Sequence, residues 1–348
     1  MYTRKILSPC SSPIENGIPV QGTWDRAFDE VNLLDIHRPY LLPLPRWFRD
    51  SRIKEWECLG IQDDRFMLEA FLANVKLYRL AQVFLVDKES GERFVFRKLI
   101  PGTGWVLPRS LSNASVESRS FHFFFRIHNW LDADTIKLDL NIEARGRQPA
   151  LTVHLAYNMS PRDVTPMAVF LNFTGRRAMY AFKALAAVRG DMVFGGQHIS
   201  LEPGRCSGFF CDYKGFFPYR LRTTVCSATG FYEGRRFGFH IAENQTKETL
   251  KNNENALWVD GRLTPLPPVR ITMPGGPESD WIIQDLEGMV DLVFTPKKPN
   301  RAGTRLFFTS ADFDVLMGLY NGMLVSAEGA QIQARNLWGM GERLYLRV

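Results

Sequence analysis

FHFFFRIHNW (121–130), TIKLDLNIE (135–143) and LTVHLAYN (151–158) decide the fold class of this chain. In the first, Phe121, Phe123, Phe125 and Ile127 share one parity while His122, Phe124, Arg126 and His128 take the other. In the second, Ile136, Leu138, Leu140 and Ile142 alternate with Lys137, Asp139 and Asn141; in the third, Leu151, Val153, Leu155 and Tyr157 alternate with Thr152, His154 and Ala156. Alternation of period two belongs to a strand with one face inward and one in water. Three such segments joined by polar connections predict a β-meander.

Strand signals recur at 66–86, 93–98, 207–213, 222–232, 235–242, 254–259, 263–273, 281–286, 289–295, 305–310, 321–325 and 342–347. Val259-Asp260-Gly261-Arg262 carries the Asp-Gly pair of a tight hairpin, and Glu287-Gly288 a second turn. This spacing predicts an all-β chain of two tandem lipocalin-like antiparallel β-barrels (calycin-like) with few short helices. One helix is expected over Thr23 to Leu34, behind a Thr cap. Met179 to Val188 reads as helix or strand, and Pro39 to Pro45 as an extended connector. The expected division is an N-terminal arm (1–22), a first barrel-like half (23–190) and a second (191–348).

The composition fits that scheme. A chain of 348 residues with 45% hydrophobic residues and 26 Phe can fill two cores and still line an apolar cavity. Its net charge of +6 is dispersed; the densest basic stretch, Arg46 to Lys54, mixes Trp47 and Phe48 among its cations. No block of like charge calls for nucleic acid. Five cysteines (Cys10, Cys58, Cys206, Cys211, Cys226), no CxxC and no apolar leader predict free thiols in the cytoplasm. No apolar run is long enough for a transmembrane helix.

The sequence holds no GxGxxG after a strand, no P-loop, no HExxH and no GxSxG. His122 and His128 lie roughly 20 Å apart on an extended strand, too far to share a metal. Neither metal nor cofactor is expected. What remains is a set of polar groups inside aromatic strands. Asp212 ends Phe209-Phe210-Cys211 and is open to two readings: a carboxyl desolvated into a general acid, or one that caps the turn or pairs with Arg220. Glu57 flanks Trp56. Glu254 and Asn255, ahead of Trp258, must find partners in a buried network or a ligand.

These strings resemble the bacterial domain-of-unknown-function family 2804. Arg52-Ile53-Lys54-Glu55-Trp56-Glu57 is similar to its N-terminal element, Tyr180 and Lys183 to its Tyr-x-x-Lys, and Gly190 to the glycine that follows. Asp212, Gly215 and Pro218-Tyr219-Arg220 match its Asp-x-x-Gly and Pro-Tyr-Arg elements, and ENALWVDGRLTPLPPV (254–269) with DLVFTP (291–296) its C-terminal signature. Thr223, Val225 and His240 depart from the pattern; where they line a pocket, the ligand of this member would differ. At the level of fold the family resembles the tandem barrels of carotenoid hydratases, which implies no activity.

Three functions follow as expectations. The leading one is a binding protein for a small apolar or amphipathic molecule held in a β-barrel cavity, contacted by Trp56, Glu57, Tyr219, Arg220, His240, Asn255 and Trp258. The second is a cofactor-free hydratase, isomerase or cyclase acting on an isoprenoid- or lipid-like substrate, with Asp212 as acid assisted by Tyr180, Lys183 or Glu254. The third is a structural or partner-binding protein using Arg46 to Lys54. The oligomeric state cannot be read from the sequence.

Overall fold

A computed structural model describes residues 2–8, 11–102, 105–174, 176–306 and 309–347. The chain is all-β, built from two curled antiparallel sheets in tandem. The meander forms as Phe123–Trp130, Thr135–Ile142 and Leu151–Asn158, with Leu138 opposite both Ile127 and Leu155. Its inward residues, among them Phe125, Ile127, Leu138, Leu140 and Val153, are fully buried. Outside, Asp139 accepts from Arg126 at 2.7 Å and pairs with His154 at 2.9 Å. The first expected member, Phe121, instead sits exposed in the preceding turn, because strand pairing begins at Phe123.

The N-terminal sheet runs, in spatial order, Arg93–Pro101, Tyr78–Asp87, Phe66–Asn74, Lys54–Gln62, Ser207–Gly215, Arg177–Phe194, Leu151–Asn158, Thr135–Ile142, Phe123–Trp130 and Ala114–Ser120. Met167–Thr174, Gln197–Leu201 and Gly22–Trp24 attach beside it. The C-terminal sheet runs Arg262–Pro265, Ala256–Val259, Arg235–Glu243, Arg220–Tyr232, Gln331–Arg347, Thr309–Val325, Val290–Leu306, Trp281–Asp285 and Val269–Thr272. Met179 to Val188 is strand, buried on both faces, which suits an Ala-rich segment wedged between layers. A division at residue 190 cuts this continuous strand; the hydrogen-bonded sheets change over between Gly215 and Arg220.

The helix expected over Thr23 to Leu34 does not form. Thr23 pairs as a strand with Val169, and only Leu33–Asp35 makes a 3-10 turn, capped by Asn32. Pairing overrides the local pattern there. The α-helix is Arg46–Arg52, entered from Pro45. The segment 263–273 is broken between Arg262–Pro265 and Val269–Thr272, since prolines 267 and 268 cannot donate to a ladder. Part of the segment expected at 305–310, and Cys10, lie outside the described residues. Among the described residues no helix is long and apolar enough to cross a membrane.

Three apolar layers result. One fills the curl of the N-terminal sheet (Leu59, Phe125, Leu138, Phe170, Phe210), and one fills the curl of the C-terminal sheet (Phe239, Trp281, Phe294, Tyr320). Between the sheets lies a third, where Met67, Phe71 and Phe84 meet Val315, Met317 and Met340, and Val169 and Leu185 meet Ala256 and Trp258. The two barrel interiors are thus occupied by packed side chains, and the open space lies in the third layer.

Candidate functional site

Parity on two strands sorts the polar residues. Tyr180 and Lys183 are three apart on Arg177–Phe194 and so face opposite ways; Asp212 and Tyr213 are neighbours on Ser207–Gly215 and also diverge. Two polar clusters therefore sit back to back on the N-terminal sheet.

The first lies inside the N-terminal barrel. Asp212 stands directly opposite Glu57, is bonded by the Lys214 ammonium at 2.6 Å, and is nearly fully buried with both. Tyr180 is opposite Lys214, whose ammonium lies 5.7 Å from its ring. The Asn129 amide donates to Glu57 at 2.9 Å, while the second Glu57 oxygen and the Asn129 carbonyl have no partner among the described residues. Burial, and then Asp212, push the Glu57 carboxyl up to about 8, and burial raises Asp212 as well. The pair thus holds a proton near neutrality. A neutral acid favoured by the fold contributes stability that is complete below the ordinary carboxyl range and lost as pH rises through about 8. Glu57→Gln is expected to remove that loss and to exceed the parent in stability above that pH by on the order of 3 kcal/mol. Urea unfolding at about pH 5 and about pH 9 checks it; a variant weaker at both would contradict the neutral-acid assignment.

The second cluster faces the other sheet. The Lys183 ammonium meets Glu254 at 2.5 Å, both wholly buried, and donates to the Glu254 backbone carbonyl at 3.3 Å. Glu254 also accepts from the Tyr213 hydroxyl at 2.8 Å and the Asn244 amide at 2.6 Å, and His240 lies 3.4 Å away. Burial would raise the Glu254 carboxyl, but the Lys183 ammonium and then His240 outweigh it and hold it well below the carboxylate range. Burial, then Lys183, lowers His240 to about 4, so the imidazole is neutral at pH 7. This group closes one part of a cleft of about 270 Å³ between the sheets. Trp56 forms an aromatic wall, stacked on Tyr213 at 5.0 Å and Phe217 at 5.3 Å. Glu69 from one sheet and Glu342 from the other also line the cleft. Burial, then Glu342, lifts Glu69 well above its usual range, and burial lifts Glu342 to about 7.

The expected residues therefore divide. Glu254, His240 and Trp56 come together at the cleft, with Lys183 held behind Glu254. Asp212, Glu57 and Tyr180 gather on the opposite face, and Asp212 pairs with Lys214, not Arg220. Tyr219 and Arg220 are exposed at the surface, where the Tyr219 hydroxyl accepts from Arg347 at 3.0 Å. Asn255 is fully enclosed, its side chain accepting from Ala242 N and donating to the Pro267 carbonyl, each at 2.8 Å. Trp258 is equally buried and donates to the Thr165 carbonyl at 2.9 Å. Asn255 and Trp258 are absent from the cleft lining. Tyr213, Asn244, Glu69 and Glu342 escaped sequence reasoning, although a lone acid in FMLEAFLA (66–73) is a visible signal. Among the described residues no group of three His, Cys, Asp or Glu could hold a metal.

The sequence matches the family described as "Domain of unknown function (DUF2804)" over residues 9–347. No curated protein matches. Among solved structures, kievitone hydratase from Nectria haematococca aligns at a TM-score of 0.48 and 12% identity, covering 84% of this chain and 88% of its own. Pseudomonas aeruginosa OccK5 (OpdH) aligns at 0.16 and 10% identity, over 84% and 96%.

Proposed function

The chain belongs to the DUF2804 family, and for this member we propose the binding of a small amphipathic molecule in the cleft between its two sheets. The observation that carries this reading is the cleft itself: mostly apolar walls from both sheets, with Trp56, Phe71, Phe217 and Leu344 among them, closed by convergent polar groups. At pH 7 those groups favour a neutral polar head. Beside Glu254 a charged head finds no counterion, because His240 is uncharged and Glu254 is already matched by Lys183. The four described cysteines are free, which suits a cytoplasmic setting.

A second reading has its own support. Glu69 and Glu342 are two carboxyls on opposite walls of the cleft, both raised by burial and Glu342 to about 7, and such a pair can supply an acid and a base. In a cofactor-free hydratase or isomerase these two would carry the proton, because Asp212 faces away from the cleft.

The test is a titration of the protein with the uncharged probe N-phenyl-1-naphthylamine, read by probe fluorescence. Saturable one-to-one binding is expected, lost in Val225→Trp, which fills the cleft, and unchanged in Glu57→Gln on the other face. Equal binding by Val225→Trp would end the cleft reading.

A further inference from the structure

The apolar and basic rim at one end of the cleft has no role in either reading above. That end is fixed by register: Lys54 lies opposite Gly215, Gly215 opposite Met179, and Tyr78 opposite Pro101. Lys54, Val75, Tyr78 and Leu99 line the cleft there, and Leu99 is 51% exposed, so the cleft reaches solvent at this end.

Helix Arg46–Arg52 runs straight into Lys54. Its Asp50 is tied to Lys76 at 3.2 Å, in the turn beside Leu77, and the Lys54 ammonium donates to the Ser51 carbonyl at 2.9 Å. Arg49 pins the helix from behind through the carbonyls of Leu34 and Ile36, at 3.1 and 2.8 Å. Trp47 lies three residues before Asp50, on the same helix face, yet is 73% exposed. Leu41, Leu42 and Leu77 are 78%, 63% and 60% exposed. Leu41 and Leu42 follow Tyr40, whose ring packs edge-on against Phe216 at 5.9 Å, next to the cleft wall at Phe217. Large apolar side chains held out into water at this end of the N-terminal sheet form a surface built for contact.

The charge selects the partner. From 38 to 54, Arg38 and Arg46 are exposed and Arg52 half-exposed, while Lys54 is buried and Arg49 is held by the carbonyls of Leu34 and Ile36; the single acid, Asp50, is already neutralised by Lys76. Tryptophan and leucine with flanking arginines are the side chains that settle at a bilayer interface, and an anionic leaflet attracts the cations. We propose that this rim docks on an anionic lipid surface, so that the cleft opens onto the bilayer.

Flotation of the full chain with phosphatidylcholine vesicles, with and without phosphatidylserine, tests this. Binding is expected only to the anionic vesicles and should weaken steeply as salt is raised. Arg46→Glu plus Arg52→Glu should reduce it by more than about 10-fold, and Trp47→Ser by a smaller factor, with melting temperatures unchanged. The salt dependence of the parent chain keeps the test decisive should a variant fold poorly. Absence of binding, equal binding to neutral vesicles, or indifference to both salt and charge reversal would overturn the proposal, and would leave a protein partner as the occupant of the rim.

Discussion

Replacing Lys183 by methionine is expected to destabilise the fold by about 3–5 kcal/mol. The substitution conserves most of the volume, so the loss comes from electrostatics. Glu254 is buried, and among the described residues Lys183 supplies its only cation within 3 Å. Without the ammonium, the Tyr213 hydroxyl and the Asn244 amide still donate to the carboxylate, but they cannot offset its removal from water. The effect has a pH signature. In the parent, a depressed Glu254 contributes stability that is present above the ordinary carboxyl range and lost in acid. In the variant that carboxyl is raised by burial instead, so the difference between the two proteins shrinks as pH falls towards the ordinary carboxyl value. Replacing both partners by apolar groups, as in Lys183→Met with Glu254→Leu, should recover most of the loss. Urea midpoints of the three proteins check this; a Lys183→Met protein as stable as the parent would show that the pair carries no buried charge.

Gly261→Ala is the second large effect. Gly261 sits at φ +77° in the turn joining Ala256–Val259 to Arg262–Pro265, after Asp260 at φ +49°. These are the two left-handed positions of a type I′ hairpin. A Cβ on Gly261 would lie 1.7 Å from the Asp163 carbonyl oxygen, which must then withdraw. The segment it would push against is anchored by Thr165, whose N–H donates to the Gly261 carbonyl at 2.8 Å and whose carbonyl accepts from Trp258 at 2.9 Å. Backbone strain plus displacement of this loop should cost about 2–4 kcal/mol. Gly288 offers the comparison: its φ is +71°, and nothing lies within 4 Å of an added Cβ, so Gly288→Ala should cost only about 1 kcal/mol. Equal thermal shifts for the two variants would contradict the docked turn.

Much of this was legible in the sequence, for reasons of parity. The residues of 123–158 declare their inward face because a strand repeats every second position, and Asp-Gly declares its hairpin because few residues accept positive φ. The same parity separates Tyr180 from Lys183 and Asp212 from Tyr213, so the split into two clusters was already written in their spacing. Which strands meet was not. Ser207–Gly215 joins Lys54–Gln62 across some 150 residues of chain, and nothing local in either segment announces the other. The cleft is made by two sheets packing face to face, so Glu69 and Glu342, from opposite ends of the sequence, could not be linked by spacing. Asn255 looked like a ligand contact because it is polar in an apolar run; its partners are the backbone groups of Ala242 and Pro267, visible only once the strands are placed.

The central claim is that the space between the sheets, and not the interior of either barrel, receives the ligand. A crystal structure of the chain soaked with N-phenyl-1-naphthylamine measures this directly. The probe is predicted between the sheets, in contact with Trp56 and Tyr213 and within reach of His240. Density for it inside the N-terminal barrel beside Glu57 and Asp212, or within the C-terminal barrel, would contradict the account.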